Sequence, residues 1–172
     1  PGFGVVKVGG EVQRFAMLGN NACVEKSATL AIVGPNAADF SLPNLKQPVV
    51  VKFQDAATIE VVARPAAAGA RTAELVMAPA DPDLPEERVP LLVTGGVPQL
   101  VAEPARLDFR GTLAGLHDEE KLLLSNPGSW PVTIVSVDLA DPSGAFAGVD
   151  QLGAGVPIGP GATRQVGVVF TP

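Results

Sequence analysis

The segment Gly161–Pro172 reads GATRQVGVVFTP, and it decides the fold because its pattern occurs twice in the chain. Val166, Val168 and Phe170 occupy alternate positions, which is the period of a β-strand with one inward face. The related phrase Val61–Pro65, VVARP, ends another alternating run 107 residues before its counterpart. The segment therefore predicts a strand that belongs to a repeated unit.

Further matches extend the repeat towards the start of the chain at a separation of 106 residues. Type and spacing agree over roughly sixty positions, which indicates two tandem copies of one domain and not a short-period solenoid. The matched pairs are Phe3 with Phe109, Gly9 with Gly115, Leu18 with Leu124, Asn20 with Asn126, and Phe40 with Phe146.

Short apolar segments separated by glycine and proline fill both copies. The chain has 19 glycines and 17 prolines, and this punctuation is typical of an all-β sandwich with many short strands. A single helical turn is predicted at 36–40, where nearby prolines exclude a longer helix. The candidate strands of the first copy are Glu11–Leu18, Ala28–Val33, Val49–Phe53, Thr58–Arg64, Thr72–Met77 and Val89–Thr94.

The domain boundaries follow from the repeat. We predict a first sandwich over 1–97, a short linker over 98–104 (PQLVAEP), and a second sandwich over 105–172 that lacks its last strands. A sandwich without its last strands has an open edge. We therefore expect Val166–Phe170 to be an edge strand that pairs with another chain or is poorly ordered.

Six phrases occur in a recognisable order: LDFRGTLAG (107–115), LLLSNPGSWPVTI (122–134), PSGAF (142–146), IGPGATRQVGVVFTP (158–172), AGARTAELVM (68–77) and VPLLVTGGV (89–97). Together they resemble the "choice-of-anchor D" domains of bacterial surface proteins. Those domains are relatives of the ASH domains of ciliary and centrosomal proteins, and of the major sperm protein and PapD-like immunoglobulin folds. The first copy departs from the family pattern at 20–23 (NNAC), where the second has a predicted Asn-Pro-Gly turn, and at 45–55, which has no clear Leu-x-Pro-Gly.

Composition argues against several classes of partner. The net charge is −6 and the basic residues are scattered, so the chain has neither the basic stripe that holds nucleic acid nor a polybasic lipid patch. No apolar run is long enough to span a membrane. Cys23 is the only cysteine and has no nearby histidine or second cysteine, so we expect a packed, unreactive thiol and no intrachain disulfide.

The sequence contains no recognisable catalytic motif, and we expect no enzyme activity, no cofactor and no metal. His117 is the only histidine and is predicted to lie in a solvated loop. The acidic stretches 81–87 and 118–120 are predicted to be solvated, with calcium binding at 81–87 as the alternative. Trp130 is the only tryptophan, and it either packs over the sandwich end or anchors a partner.

These features predict two tandem immunoglobulin-like antiparallel β-sandwiches acting as a structural or interaction module of a larger bacterial protein. Its role would be spacing, assembly or adhesion through sandwich surfaces and edge strands. The candidate interaction residues are Val166, Val168, Phe170 and Trp130. The alternatives are a surface-protein module that binds polysaccharide or calcium, and an accessory domain of an unseen enzyme. The resemblance implies a secreted, cell-surface or periplasmic location, with the cytoplasm as the alternative.

Overall fold

A computed structural model describes residues 2–110, 113–148 and 155–172. Its regular structure consists of fourteen β-strands and one 3-10 turn, which confirms the predicted all-β fold. The chain divides into two compact units, Pro1–Gly96 and Val97–Pro172. Within the described residues, no helix is long and apolar enough to cross a bilayer.

Two facing sheets build the first unit. One sheet has the order β1-β8-β7-β3-β5, in which β1 runs parallel to β8 and the other neighbours are antiparallel. The other sheet has the antiparallel order β2-β6-β4. The strands are β1 Gly2–Lys7, β2 Val12–Asn20, β3 Lys26–Val33, β4 Phe40–Ser41, β5 Val49–Val51, β6 Asp55–Ala63, β7 Gly69–Pro79 and β8 Glu87–Gly96.

The core of the first unit forms where the inward faces of these sheets meet. Along β6, the alternate residues Ile59, Val61 and Ala63 are buried, as the period-2 pattern predicts. Thirteen buried hydrophobic residues form one cluster that draws on both sheets. Burial of this size is the main source of stability for a domain without disulfides.

The predicted helical turn is present as a 3-10 turn over Ala37–Asp39. Asp39 is only 3 % exposed, and its carboxylate accepts the Nε–H of Arg71 at 2.5 Å. The carbonyl oxygen of Asp39 also accepts the N–H of Arg64 at 2.7 Å. A buried carboxylate needs such partners, and here they tie the turn to β7 and to the end of β6.

Within the described residues, the second unit has fewer strands and a smaller core than the first. A four-stranded sheet of order β12-β14-β10-β9 faces the two-stranded pair β11-β13. Leu124 and Val166 from the larger sheet pack with Ile134 and Ile158 from the pair. The strands are β9 Val101–Glu103, β10 Asp118–Ser125, β11 Val132–Ile134, β12 Phe146–Gly148, β13 Val156–Ile158 and β14 Thr163–Phe170.

The segment 98–104 differs from the predicted linker. Val101–Glu103 forms β9, which pairs antiparallel with Leu123–Ser125 of β10. The prolines at 98 and 104 resemble linker punctuation, but the three residues that pair lie between them. The segment is therefore part of the second unit, as an edge strand of its larger sheet.

Candidate interaction site

Asn20, the last residue of β2, is a buried polar side chain in the first unit. Its Nδ2 donates to the carbonyl oxygens of Val24 and Val51 at 2.8 and 2.9 Å. Its Oδ1 accepts the N–H of Ala22 at 2.9 Å. A buried amide is tolerated when its hydrogen bonds are made, and these bonds tie the loop after β2 to β5. We call this set of bonds the Asn20 clamp.

Asn126 makes the corresponding bonds in the second unit and is 0 % exposed. Its Nδ2 donates to the carbonyl oxygens of Trp130 and Ile158 at 2.8 and 2.9 Å. Its Oδ1 accepts the N–H of Gly128 at 3.0 Å and the N–H of Gln99 at 3.3 Å. We call this set the Asn126 clamp. Its extra bond to Gln99 fixes the chain that leads into β9.

A pair of phenylalanine rings also occurs once in each unit. Phe3 and Phe40 have ring centroids 5.6 Å apart and planes inclined at 59°. Phe109 and Phe146 have centroids 5.5 Å apart and planes inclined at 62°. In the second unit, Phe170 joins the pair at 4.9 Å from Phe146. Both pairs have the inclined geometry that aromatic rings favour.

The strand pair behind each clamp has the same register in both units. Ala28 of β3 faces Val49 of β5, and Ile134 of β11 faces Val156 of β13. The separations are those of the sequence repeat, 106 residues for the first strand of the pair and 107 for the second. The two units therefore share register as well as strand content in this region.

The turn after each of these strand pairs is also shared, although its sequence signal is present only in the second unit. In Lys52–Asp55 and in Gly159–Ala162, the last N–H donates to the first carbonyl oxygen, at 3.2 and 3.0 Å. The third residue is left-handed in both turns: Gln54 has φ 53° and Gly161 has φ 71°. Gln54 is the only non-glycine residue with positive φ in the described chain. The 45–55 segment thus makes the same turn as the second unit, with glutamine in place of glycine.

The predicted interaction strand around Val166–Phe170 is not a free edge along its whole length. β14 pairs with β10 from Thr163 to Phe170, and Val168–Phe170 also pairs with β12 on the other side. Val166 is a core residue at 4 % exposure, whereas Val168 and Phe170 are half-buried. The contacts of Phe170 with the phenylalanine pair hold β12 in place and account for the covered edge.

Trp130 is half-buried, and its main chain takes part in the Asn126 clamp. Its N–H donates to the carbonyl oxygen of Val97 at 3.0 Å, beside the N–H of Ser129 at 2.9 Å. Its carbonyl oxygen accepts from Asn126. The structure thus brings Trp130 together with Val97, and not with the predicted interaction strand.

Strand β2 is an open edge that the sequence analysis did not single out. Among described residues its only ladder partner is β6. In an antiparallel ladder, alternate residues turn their N–H and C=O away from the partner, so about half of β2 presents these groups outward. Phe15 is 60 % exposed and Met17 is 76 % exposed on the outer face. The sequence feature that could have indicated this edge is EVQRFAML, in which apolar residues occupy both odd and even positions and so both faces of the strand.

A cleft of about 430 Å³ opens beside the C-terminal half of β2. It is bounded by the ends of β3 and β7 and by the loop between β7 and β8. Lys26 lines it and is paired with Asp81. Glu87 is the other charged residue in its wall. The apolar side chains of the wall include Met17, Leu18, Val51, Met77, Leu84 and Pro85.

The remaining candidate residues do not converge on a chemical site. His117 is exposed immediately before β10. The expectation of a packed Cys23 was wrong, because this residue lies in the loop after β2 and is exposed. In the described ranges, no group of three or more histidine, cysteine or acidic residues is placed to hold a metal ion. Asp81, from the acidic stretch considered for calcium, accepts from Lys26 and from the N–H of Asp83.

The Lys26–Asp81 ion pair leads to a pH-dependent prediction. The hydrogen bond from Lys26 and then that from the N–H of Asp83 hold the pKa of Asp81 below its usual 3.8. A lowered pKa stabilises the fold above the unfolded-state pKa, and this stabilisation is lost as pH falls through the folded-state value. Wild type is therefore expected to unfold at slightly higher urea than Lys26→Gln near pH 7, with the difference closing below pH 3.8.

Urea midpoints of both chains, measured in steps from pH 7 to pH 2, check this expectation. The effect is small because the pair lies at the surface and is screened. Added salt should reduce the difference at pH 7 in the same way. A difference that does not shrink as the pH falls below 3.8 would contradict the assignment, because protonation of Asp81 removes the charge that Lys26 pairs with.

No family model and no curated protein matches the chain. Among solved structures, a Porphyromonas gingivalis W83 protein of unknown function is 17 % identical, with a TM-score of 0.44, covering 98 % of this chain and 78 % of its own. The Pseudomonas aeruginosa CupB2 chaperone is 14 % identical, with a TM-score of 0.38 and coverages of 90 % and 80 %. The secreted serine protease VesC from Vibrio cholerae is 13 % identical, with a TM-score of 0.43 and coverages of 99 % and 45 %. Similarities at this level do not identify an activity.

Proposed function

We propose that the chain is a non-enzymatic interaction and spacing module made of two tandem copies of one immunoglobulin-like β-sandwich. It acts in spacing, assembly or adhesion, in a bacterial protein of the cell surface or periplasm. The observation that carries the proposal is the pair of clamps. Asn20 and Asn126 lie 106 residues apart, and each binds the backbone at two, four and 31 or 32 residues further on.

The clamps support a scaffold role because of what their polar groups bind. In each unit, the buried amide satisfies backbone carbonyls and an N–H and thereby fixes a loop against a strand. A catalytic or ligand-binding side chain would instead keep a donor or acceptor directed into an open pocket. The shared register and the shared left-handed turn add to the support for two copies of one design.

A spacer under load should unfold one unit at a time. In single-molecule pulling between marker domains, we expect two separate events, one for 1–96 and one for 97–172. At about 3.4 Å of extended chain per residue, the events should release about 33 nm and about 26 nm, less the folded end-to-end distances. The smaller unit should yield at the lower force, because its described residues include four in the core, whereas the first unit has thirteen.

A disruption placed in one unit provides the matched control. Val61→Asp, in the core of the first unit, should remove the longer release and keep the shorter one. One combined event of about 60 nm in the wild-type chain would contradict the proposal, because the chain would then resist force as a single body.

A further inference from the structure

We propose that the outer edge of β2 at Met17–Gly19, with the cleft beside it, is an acceptor site for an extended partner strand. The partner adds antiparallel to β2 through backbone hydrogen bonds, and it is uncharged with alternating apolar residues. This inference rests on the proposed relation between the two units, and it goes further by naming the surface, the register and the chemistry of the partner.

The second unit shows how such an edge is filled. There, β9 pairs antiparallel with β10, with Glu103 opposite Leu123 and Val101 opposite Ser125. The repeat places Leu123–Ser125 at the position of Met17–Gly19 in the first unit. A partner strand on β2 in the same register would have its central residue opposite Leu18.

The first unit leaves this position open. Of the described residues, none forms a ladder with Met17–Gly19 on the side away from β6. Met17 is 76 % exposed, whereas Leu123 at the matching position beside β9 is half-buried. Addition of a strand to an open sheet edge gains affinity from the main chain, and specificity comes from pockets for alternate side chains.

The cleft supplies such a pocket and selects against charge. Its wall is mostly apolar, and the charge of Lys26 is neutralised by Asp81. Glu87 is the other charged group in the wall, and its carboxylate disfavours an acidic side chain next to it. Of the three β9 residues that pair with β10, Val101 and Ala102 have the required apolar character and Glu103 does not.

Two residues limit how far the partner can follow the path of β9. Arg14 is exposed at a core-facing position of β2, and its charge disfavours the addition of a strand along the N-terminal half of this edge. Ala22 stands where the second unit has Gly128, whose added Cβ would lie 2.5 Å from the carbonyl oxygen of Val97. A bound strand therefore pairs at Met17–Gly19 but does not reach the Asn20 clamp. In this it differs from residues 97–99, which do contact the Asn126 clamp.

A grafted strand tests the site on the full chain. A copy of residues 97–106 with glutamine in place of the residue that corresponds to Glu103, VPQLVAQPAR, is joined directly before Pro1. This gives the graft the spacing that β9 has from β10 and leaves no acidic side chain in it. Tethering raises the effective concentration of the strand to about the millimolar range. We expect hydrogen exchange of the Met17–Gly19 amides that face outward to slow by about tenfold or more, equivalent to about 1.4 kcal/mol. Ala22→Gly in the same chain should slow it further.

The control graft carries proline in place of the two residues that correspond to Val101 and Ala102, which removes their N–H groups. Slowing by the first graft and not by the proline graft supports the site. Equal slowing by both grafts, or no slowing even with Ala22→Gly, overturns it. The pulling experiment separates the two proposals: two unfolding events without protection reject the acceptor site alone, and one combined event rejects the tandem module itself.

Discussion

Replacement of Asn126 by alanine is expected to unfold the second unit and to leave the first unit folded. The variant leaves the carbonyl oxygen of Ile158 buried without its partner, and it removes the partly buried bonds to the carbonyl oxygen of Trp130 and to the N–H groups of Gly128 and Gln99. A buried group without a partner costs about 1–3 kcal/mol, and the three partly buried groups recover part of this from water, so the loss is on the order of 3–5 kcal/mol. In the described part of the second unit, the core has four buried hydrophobic residues with which to absorb such a loss.

Hydrogen exchange followed residue by residue measures both units in one sample. In Asn126→Ala, β10 and β14 should lose protection, whereas β6 and β7 keep it. Asn20→Ala is the matched control, because it removes the corresponding clamp from a unit with thirteen core residues. That variant should lower the melting temperature of the first unit without unfolding it. Full protection of β14 in Asn126→Ala would show that water replaces the amide, and would contradict the structural role of the clamp.

Asparagines 20 and 126 show what a repeat in sequence can and cannot reveal. Their separation was visible, and the predicted strands around them are present. Their burial was not predicted, because asparagine next to a turn usually satisfies its own local backbone in solvent. The decisive partners are the carbonyls of Val51 and Ile158, more than thirty residues away in sequence. Contacts at that range depend on the packing of the two sheets, which a local pattern does not contain.

The turn at Gln54 could not be recognised for a related reason. Prediction of a left-handed residue relies on glycine or asparagine, and glutamine at φ 53° gives no such signal. The flanking strands β5 and β6 impose the turn, since its hydrogen bond and register match those of Gly159–Ala162. Tertiary packing here overrides the local preference of the residue.

Edges were the least predictable part of the candidate site. Strands β9 and β12 have three residues each, too few to establish an alternating pattern. One of them converts the predicted linker into an edge strand, and the other covers Val168–Phe170. The open edge lies instead on β2, whose outward Phe15 and Met17 are apolar and exposed. Composition and the period-2 pattern were enough to predict that the chain is built of strands. Which strand edges are covered depends on β9 and β12, and these are too short to predict.

The two units stop matching in structure just after β11. In the first unit, Leu30 and Ile32 turn inward from β3 while Thr29–Val33 pairs with β7. The second unit has Ser136 and Asp138 at those inward positions, and the hydroxyl of Ser136 donates to Asp138 at 2.9 Å. Val135 next to them is 76 % exposed. A partner strand that paired with the segment after β11 in the way that β7 pairs with β3 would therefore pack over polar side chains. The edge of β2 is for this reason the better acceptor.

Gly128→Ala is expected to detach β9 and to destabilise the second unit by about 1–3 kcal/mol, the usual cost of overpacking. Its Cβ would lie 2.5 Å from the carbonyl oxygen of Val97 and 2.7 Å from the nitrogen of Gln99. Both are backbone atoms, so no side-chain rotation can relieve the clash. The segment 97–99 must move away and lose its bonds to Asn126, Ser129 and Trp130. The glycine is thus required by the close approach of the chain, whereas the sequence suggested a turn.

Exchange rates at Leu123–Ser125 measure the detachment directly, because those residues form the ladder with β9. They should rise in Gly128→Ala, while the ladder of β10 with β14 persists. Ala22→Gly, the reverse change at the matching position, is the control and should cost no more than about 1 kcal/mol. If the Leu123–Ser125 amides exchange as slowly in Gly128→Ala as in wild type, then residues 97–99 do not hold β9 in place. The pairing of β9 with β10 would then not depend on the close approach of residues 97–99 to Gly128. It would no longer be a valid template for strand addition to β2.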